Sequence, residues 1–355
     1  MTRISRPHIG IFAAFAAIYL FWGATYLAVA VALRSIPPLM LMATRSIAGG
    51  LILLACVKLA HRPTGSPRTW AFAAACGVLF FVGCHGVLAH AQQRVPSGLA
   101  AVLLATIPFW IVIAKMLLLG SKPALKNLAV LTPGMAGVGL IAWQQIGPNS
   151  SGPDIADIAL LLGASASWAI GTILSEAYAG SSSRIALSGM ELVTGGLVLL
   201  VLSIASGELR SFDVRGISLA SFGAWLYLVI AGTVLGFAAY IWLLKHLSPT
   251  LVSTYTFVNP VVAVLLGWLV LGEHPTGRML AGAALVVTSV AGLLVIDAPS
   301  NKQPHWVDAT RAPFRRPKKG ADRRTQNRPN NCHRDKLEQL QTSRPKVRSS
   351  IDRSG

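Results

Sequence analysis

The sequence predicts an all-α membrane protein with ten transmembrane helices in two inverted five-helix repeats, followed by a disordered basic C-terminal tail. Three observations carry this expectation. Of 355 residues, 53% are hydrophobic and only 12% charged, with a mean hydropathy of +0.58, whereas soluble domains carry about a quarter charged residues. Ten apolar runs approach the ~20 residues a helix needs to cross a ~30 Å hydrocarbon core. The pattern of the first five runs returns in the second five.

The first run, 11–33, follows Arg3 and Arg6 and could pass for an export signal. It is longer than the roughly 7–15 apolar residues of a signal peptide, so it is read as an uncleaved first helix. Runs 39–60, 70–90, 97–119 and 126–146 complete one set, and 155–177, 184–205, 217–244, 250–271 and 277–296 form the other. Connections such as HRPTGSPR (61–68) and GPNSSGPD (147–154) are short and rich in Pro, Gly and Ser. They leave no room for a soluble domain between helices.

Two runs at matching places in the two halves carry a proline, Pro108 in one and Asn259-Pro260 in the other. Proline cannot donate the helical hydrogen bond and clashes with the preceding turn, so a kink is expected at each. In lipid such a break persists only where protein or water covers it. Asn259 can satisfy a freed carbonyl or face a polar cavity. Cys56, Cys76, Cys84 and Cys332 show no CxxC and no paired spacing, which reads as packing residues instead of a disulfide framework or structural zinc. Gly134, Gly137, Gly139, Gly282 and Ala283 are small residues that let membrane helices approach closely.

Shifting by 146 residues lays LMATRSIAGGLILL (41–54) on LSGMELVTGGLVLL (187–200) and Trp22 on Trp168. A shift of 152 lays Pro108 on Pro260 and Pro123 on Pro275. An odd number of helices per half turns the second half upside down relative to the first. Inverted repeats with interrupted helices at matching positions are a transporter signature.

With the N-terminus inside, inner segments before the tail hold ten Lys and Arg and outer ones five. This favours both termini in the cytoplasm. The tail from 299 holds 15 Lys and Arg against 5 Asp and Glu, so +10 of the formal +18 resides there. Few apolar residues and many prolines predict disorder. Such a tail reads either as a solvated extension with no specific role or as an anchor to anionic lipid, at about 1 kcal/mol per basic residue near the surface. Nucleic acid is not expected, since no aromatic or fold context accompanies the charge. The expected organisation is a cytoplasmic N-terminus at 1–10, repeats at 11–146 and 155–296, a connection at 147–154 and the tail at 297–355.

The motifs WGATY (22–26), Pro37-Pro38 followed by Arg45, VPSGLAAVLLATIPFW (95–110), SWAIGT (167–172) and SPTLVSTYTFVNPVVAVLLGWLVLGE (248–273) together resemble the EamA-type drug/metabolite transporter family and fit its YedA-like inner-membrane branch. The resemblance covers about residues 11–296. It implies a secondary transporter, an exporter by family habit, of small metabolites such as amino acids across the inner membrane by alternating access. Two features depart from it: Ser121 stands where the second repeat has Glu273, and the tail has no counterpart.

Arg45 and Glu191 are the foremost candidate site residues, because they occupy equivalent positions under the 146-residue shift. An ion in hydrocarbon costs several kcal/mol, so such residues face the protein interior or water and usually pair. The structural alternative is an ion pair that fixes helix packing. The functional reading makes Arg45 a carboxylate anchor and Glu191 a site for a proton or a substrate amine. Trp22, Trp168, Tyr26 and Tyr240 could line a substrate path through stacking and cation–π contacts, with Asn259 beside them and Pro108 and Pro260 shaping the cavity. Interfacial anchoring is the plainer role for Tyr and Trp. His85, His90, Gln92 and Gln93 read as a polar vestibule at the outer end of helix three.

No cofactor, metal site or catalytic set is expected: GK[ST] P-loop, HExxH and GxSxG patterns are missing. The partners expected are a small-molecule substrate and the bilayer, with a homodimer left open. The competing readings are a small-multidrug-type exporter of lipophilic cations, which relies on a carboxylate in the first helix that 11–33 lacks, an intramembrane enzyme or lipid-handling protein, and a binding module centred on the tail.

Overall fold

A computed structural model describes residues 6–120, 125–143, 155–178, 184–271 and 277–296. Among the described residues every regular element is helical. Seven stretches are long and apolar enough to cross a membrane: Gly10–Ala32, Pro38–Leu59, Pro67–Ala91, Ser97–Leu119, Ile155–Tyr178, Arg184–Ala205 and Leu219–His246. Helices also occupy the other three apolar runs, at Leu125–Trp143, Tyr255–Leu271 and Gly277–Ile296. The tail, Glu273, Ser121, Pro123, Pro275 and the connection at 147–154 lie outside the described residues.

In chain order, α1 (Arg6–Gly23) and α2 (Thr25–Ala32) are followed by α3 (Pro38–Leu59). The third stretch is composite: α4 (Pro67–Gly77), a π-helical segment Val78–Gly86 and α5 (Val87–Ala91). Then come α6 (Ser97–Leu104), α7 (Ile107–Leu119), α8 (Leu125–Trp143), α9 (Ile155–Tyr178), α10 (Arg184–Ala205) and the short α11 (Glu208–Ser211). A second composite stretch joins α12 (Leu219–Tyr227), a π-helical segment Leu228–Leu235 and α13 (Gly236–His246). The chain continues through α14 (Pro249–Val252), α15 (Tyr255–Leu271) and α16 (Gly277–Ile296).

Large apolar side chains cover the outside. Phe12, Leu59, Leu117, Ile155 and Leu219 are mostly exposed, the last at 87%. A water-facing surface of this kind would be a liability, whereas a lipid-facing one is what hydrocarbon requires.

At the centre α3 and α10 cross antiparallel on glycines. A Cβ on Gly50 would lie 2.9 Å from the Gly189 carbonyl oxygen, and one on Gly196 would lie 3.1 Å from that of Ala43. Each contact is the image of the other under the 146-residue shift. A second matched pair seats Gly171 on the Phe80 ring and Gly232 on the Thr25 methyl, 3.0 and 2.9 Å from the positions their Cβ atoms would take. Small residues give such close crossings because van der Waals contact, in place of a hydrophobic driving force, holds helices together in lipid. At one end of the crossing Glu208 accepts from the backbone N–H groups of Leu39 (3.1 Å) and Met40 (2.9 Å), at the otherwise unpaired start of α3. Elsewhere Gly134 meets Ser289, whose hydroxyl donates to the Val130 carbonyl at 2.7 Å and ties α16 to α8.

The interruptions fall elsewhere than at the prolines. One separates α6 from α7 at Ala105–Thr106, and the other separates α14 from α15 at Ser253–Thr254. Pro108 is in the first turn of α7, where its missing N–H leaves no acceptor unsatisfied. Pro260 lies inside α15, which continues through it. At both breaks a threonine hydroxyl captures a carbonyl three residues back, Thr106 to Leu103 and Thr254 to Leu251, each at 2.7 Å. Local hydroxyl-to-backbone bonds of this kind compete with the helical ladder.

Candidate functional site

Among the described residues two cavities matter for the site. The first is lined by Trp22, Tyr26, Arg45, Trp168 and Asn259 together with Thr25, Cys84, His85, Phe237 and Tyr255. The second is lined by Glu191 and Tyr240 together with Phe80, Thr172, Ser175, Glu176, Arg184 and Ser188. Five of the seven predicted binding residues therefore share one cavity and two share the other. Arg45 and Glu191 do not meet.

Arg45, the eighth residue of α3, is 4% exposed. Its Nε donates to Thr233 Oγ1 at 3.2 Å and its Nη1 to Met42 Sδ at 3.7 Å. Among the described residues no carboxylate lies within ion-pair distance of it. The π-helical segment explains the Thr233 contact. In that wide register the Thr233 hydroxyl donates to the Leu228 carbonyl, five residues back, at 2.8 Å, and its oxygen is left free to accept from Arg45. The other π-helical segment brings Cys84 and His85 into the same cavity. Such segments concentrate at functional sites because they shift side chains out of the α-helical register. Nδ1 of His85 and Oδ1 of Asn259, both buried, have no hydrogen-bond partner. Buried polar atoms are seldom left that way.

Aromatic rings separate the two cavities. Trp22 and Trp168 meet edge to face with ring centroids 6.1 Å apart, Trp168 meets Phe80 at 4.9 Å and Trp22 meets Tyr240 at 5.2 Å. Phe237 lines both cavities. Trp22 is fixed by its indole N–H, which donates to the Gly232 carbonyl at 2.8 Å, and it fills the space beside Gly236 where a side chain would stand.

On the far side Glu191, the eighth residue of α10, is 1% exposed and accepts from the Ser175 hydroxyl at 2.7 Å. Arg184 pairs with Glu176 at 3.1 Å, while the second carboxylate oxygen of Glu176 is buried and has no partner. The Tyr240 hydroxyl lies 3.3 Å from that of Thr172.

The expected polar vestibule divides. His85 faces the first cavity, Gln92 is buried and donates to the Tyr26 carbonyl at 3.3 Å, and Gln93 contacts an exposed His90 at 3.4 Å. Trp242 meets His246 with ring centroids 4.3 Å apart and planes tilted by 35°, and it lines neither cavity. Thr233, Phe237, Tyr255, Ser175, Glu176 and Arg184 were not singled out from the sequence. Glu176 and Arg184 carried a signal, as opposite charges eight residues apart at the junction of two apolar runs.

The profile of the EamA-like transporter family matches residues 8–143 and 156–295. The inner membrane transporter YedA of Escherichia coli is 34% identical over 264 residues, which covers 74% of this chain and 83% of that protein. The transporter YvbV of Bacillus subtilis is 24% identical over 82% of this chain and 92% of its own. A protein of known crystal structure superposes with a TM-score of 0.64 at 18% identity, covering 81% of this chain and 97% of that one.

Proposed function

Because this chain belongs to the EamA-like transporter family, we propose that it is a secondary transporter, working as an exporter, of small metabolites such as amino acids. It works in the inner membrane, through two inverted five-helix repeats at 11–146 and 155–296 with both termini in the cytoplasm, by alternating access around the first cavity. The matched glycine contacts, the paired π-helical segments and the paired threonine-capped breaks support the inverted arrangement. The basic tail at 297–355 rests on anionic lipid.

One observation carries the substrate reading. A buried guanidinium without a carboxylate partner shares a cavity with aromatic walls and an unpaired Asn259 oxygen. Leaving a charge so placed costs several kcal/mol unless a ligand or water compensates. A substrate carboxylate on Arg45, a donor group on Asn259 and an apolar body against Trp22, Trp168 and Tyr26 match the charge, the open oxygen and the aromatic wall. Pro108 and Pro260 hold the helices that enclose it, and movement at the neighbouring breaks opens and closes it.

Counterflow in proteoliposomes with a labelled amino-acid panel, run with and without a pH gradient, tests this. The expected result is exchange by the wild-type protein that Arg45→Gln loses. Exchange that Arg45→Gln keeps in full would remove Arg45 from the substrate path. Silence across the panel from folded protein would remove the amino-acid reading.

A further inference from the structure

We infer that the second cavity is a separate binding site for an organic ammonium group, held by Glu191 and Glu176 on the opposite side of the aromatic partition from Arg45. The inference rests on the transporter reading for its context, but its site shares no charged residue with the first.

The chemistry of the lining is one-sided. Two carboxylates, Glu191 and Glu176, face the cavity with a single guanidinium, Arg184, which is engaged with Glu176 Oε1 at 3.1 Å. Glu191 has no cation within ion-pair distance among the described residues, and a hydroxyl donates to it instead, from Ser175 at 2.7 Å. Glu176 Oε2 is the second, independent sign: a buried carboxylate oxygen without a hydrogen-bond partner, in a residue 7% exposed that lines the same cavity. Thr172, Ser188 and Tyr240 add hydroxyl oxygens. An ammonium offers three donors and no acceptor, which is what this set of oxygens lacks.

The walls decide between an inorganic and an organic cation. Phe80, Phe237 and Tyr240 stand in the lining beside the carboxylates, together with Leu187, Ile241 and Leu244, an apolar wall that a bare ion does not use. Aromatic faces attract an organic cation and cover its apolar body. The first cavity, with Arg45 among its walls, has the opposite preference.

The test is calorimetric titration of the purified full chain with 2-phenylethylamine and with 3-phenylpropionate, each alone and each in the presence of saturating amounts of the other. Independent sites give one equivalent of each and unchanged affinities. Mutual competition would overturn the inference, whatever any variant does. Glu191→Gln should raise the amine dissociation constant relative to the acid by at least about tenfold, and Arg45→Gln should move the ratio the other way. An unchanged ratio in Glu191→Gln, or no amine binding by wild-type protein, would also overturn it. Either result leaves acid counterflow through the first cavity untouched, so the two readings fail separately.

Discussion

Arg45 and Glu191 stand at the same depth of α3 and α10, yet they are held in different ways. Arg45 reaches across to Thr233 in the second half of the chain, and its cavity leaves His85 Nδ1 and Asn259 Oδ1 unpaired. Glu191 takes its bond from Ser175 on α9, within its own half. The difference teaches that a matched backbone position does not fix a matched role. Any movement of one half against the other changes the surroundings of Arg45 directly, while Glu191 keeps its hydroxyl partner.

The largest expected effect breaks the comparison at Arg45. Arg45→Gln removes charge-assisted hydrogen bonds worth about 1.5–3 kcal/mol, which corresponds to about 10–100-fold weaker binding of a carboxylate probe by titration. Next comes the seam that holds the two sites at equal depth. Gly195→Ala would press a methyl group into the Gly77 carbonyl. Overpacking of this kind costs about 1–3 kcal/mol, to be read as a lower midpoint of thermal unfolding.

Thr233→Val sharpens the contrast by removing the one oxygen that ties Arg45 to the other half. A hydrogen bond of about 0.5–1.5 kcal/mol is lost, and carboxylate affinity should fall by several-fold, or up to about tenfold, in the same titration. The smallest effect is expected at the rim. Glu208→Gln leaves one acceptor oxygen, so it loses one of the bonds from Leu39 and Met40 as well as the negative charge at the start of α3. The charge contributes about 0.3–1 kcal/mol and the bond about 0.5–1.5 kcal/mol, so the unfolding midpoint should drop while carboxylate affinity, the quantity being compared, should hardly move.

Much of the architecture was legible beforehand, because hydrocarbon imposes a one-dimensional rule. A segment either has enough consecutive apolar residues to cross or it does not, and the apolar runs mark the helices. The residues that face inward were legible for the same reason. Arg45, Glu191 and Asn259 are too costly to place against lipid, and all three line cavities. Family membership followed from motifs spread along the chain, and the match at 8–143 and 156–295 bears it out.

The π-helical segments were not legible. Val78–Gly86 and Leu228–Leu235 read as plain apolar helix, and nothing in their spacing marks the wide register. The helix breaks were not legible either: they lie at Ala105–Thr106 and Ser253–Thr254, where Thr106 and Thr254 capture carbonyls, a few residues before Pro108 and Pro260. The sequence by itself determined the class of protein and the polar residues that must point inward, because both follow from the cost of polarity in lipid, and it determined the family through its motifs. Only the tertiary structure decided that these residues divide into two cavities, one with the Arg45 guanidinium and the other with the Glu191 and Glu176 carboxyl groups. That division is made by rings from α1, α9, α13 and the first π-helical segment meeting between them, a contact that no spacing along the chain encodes.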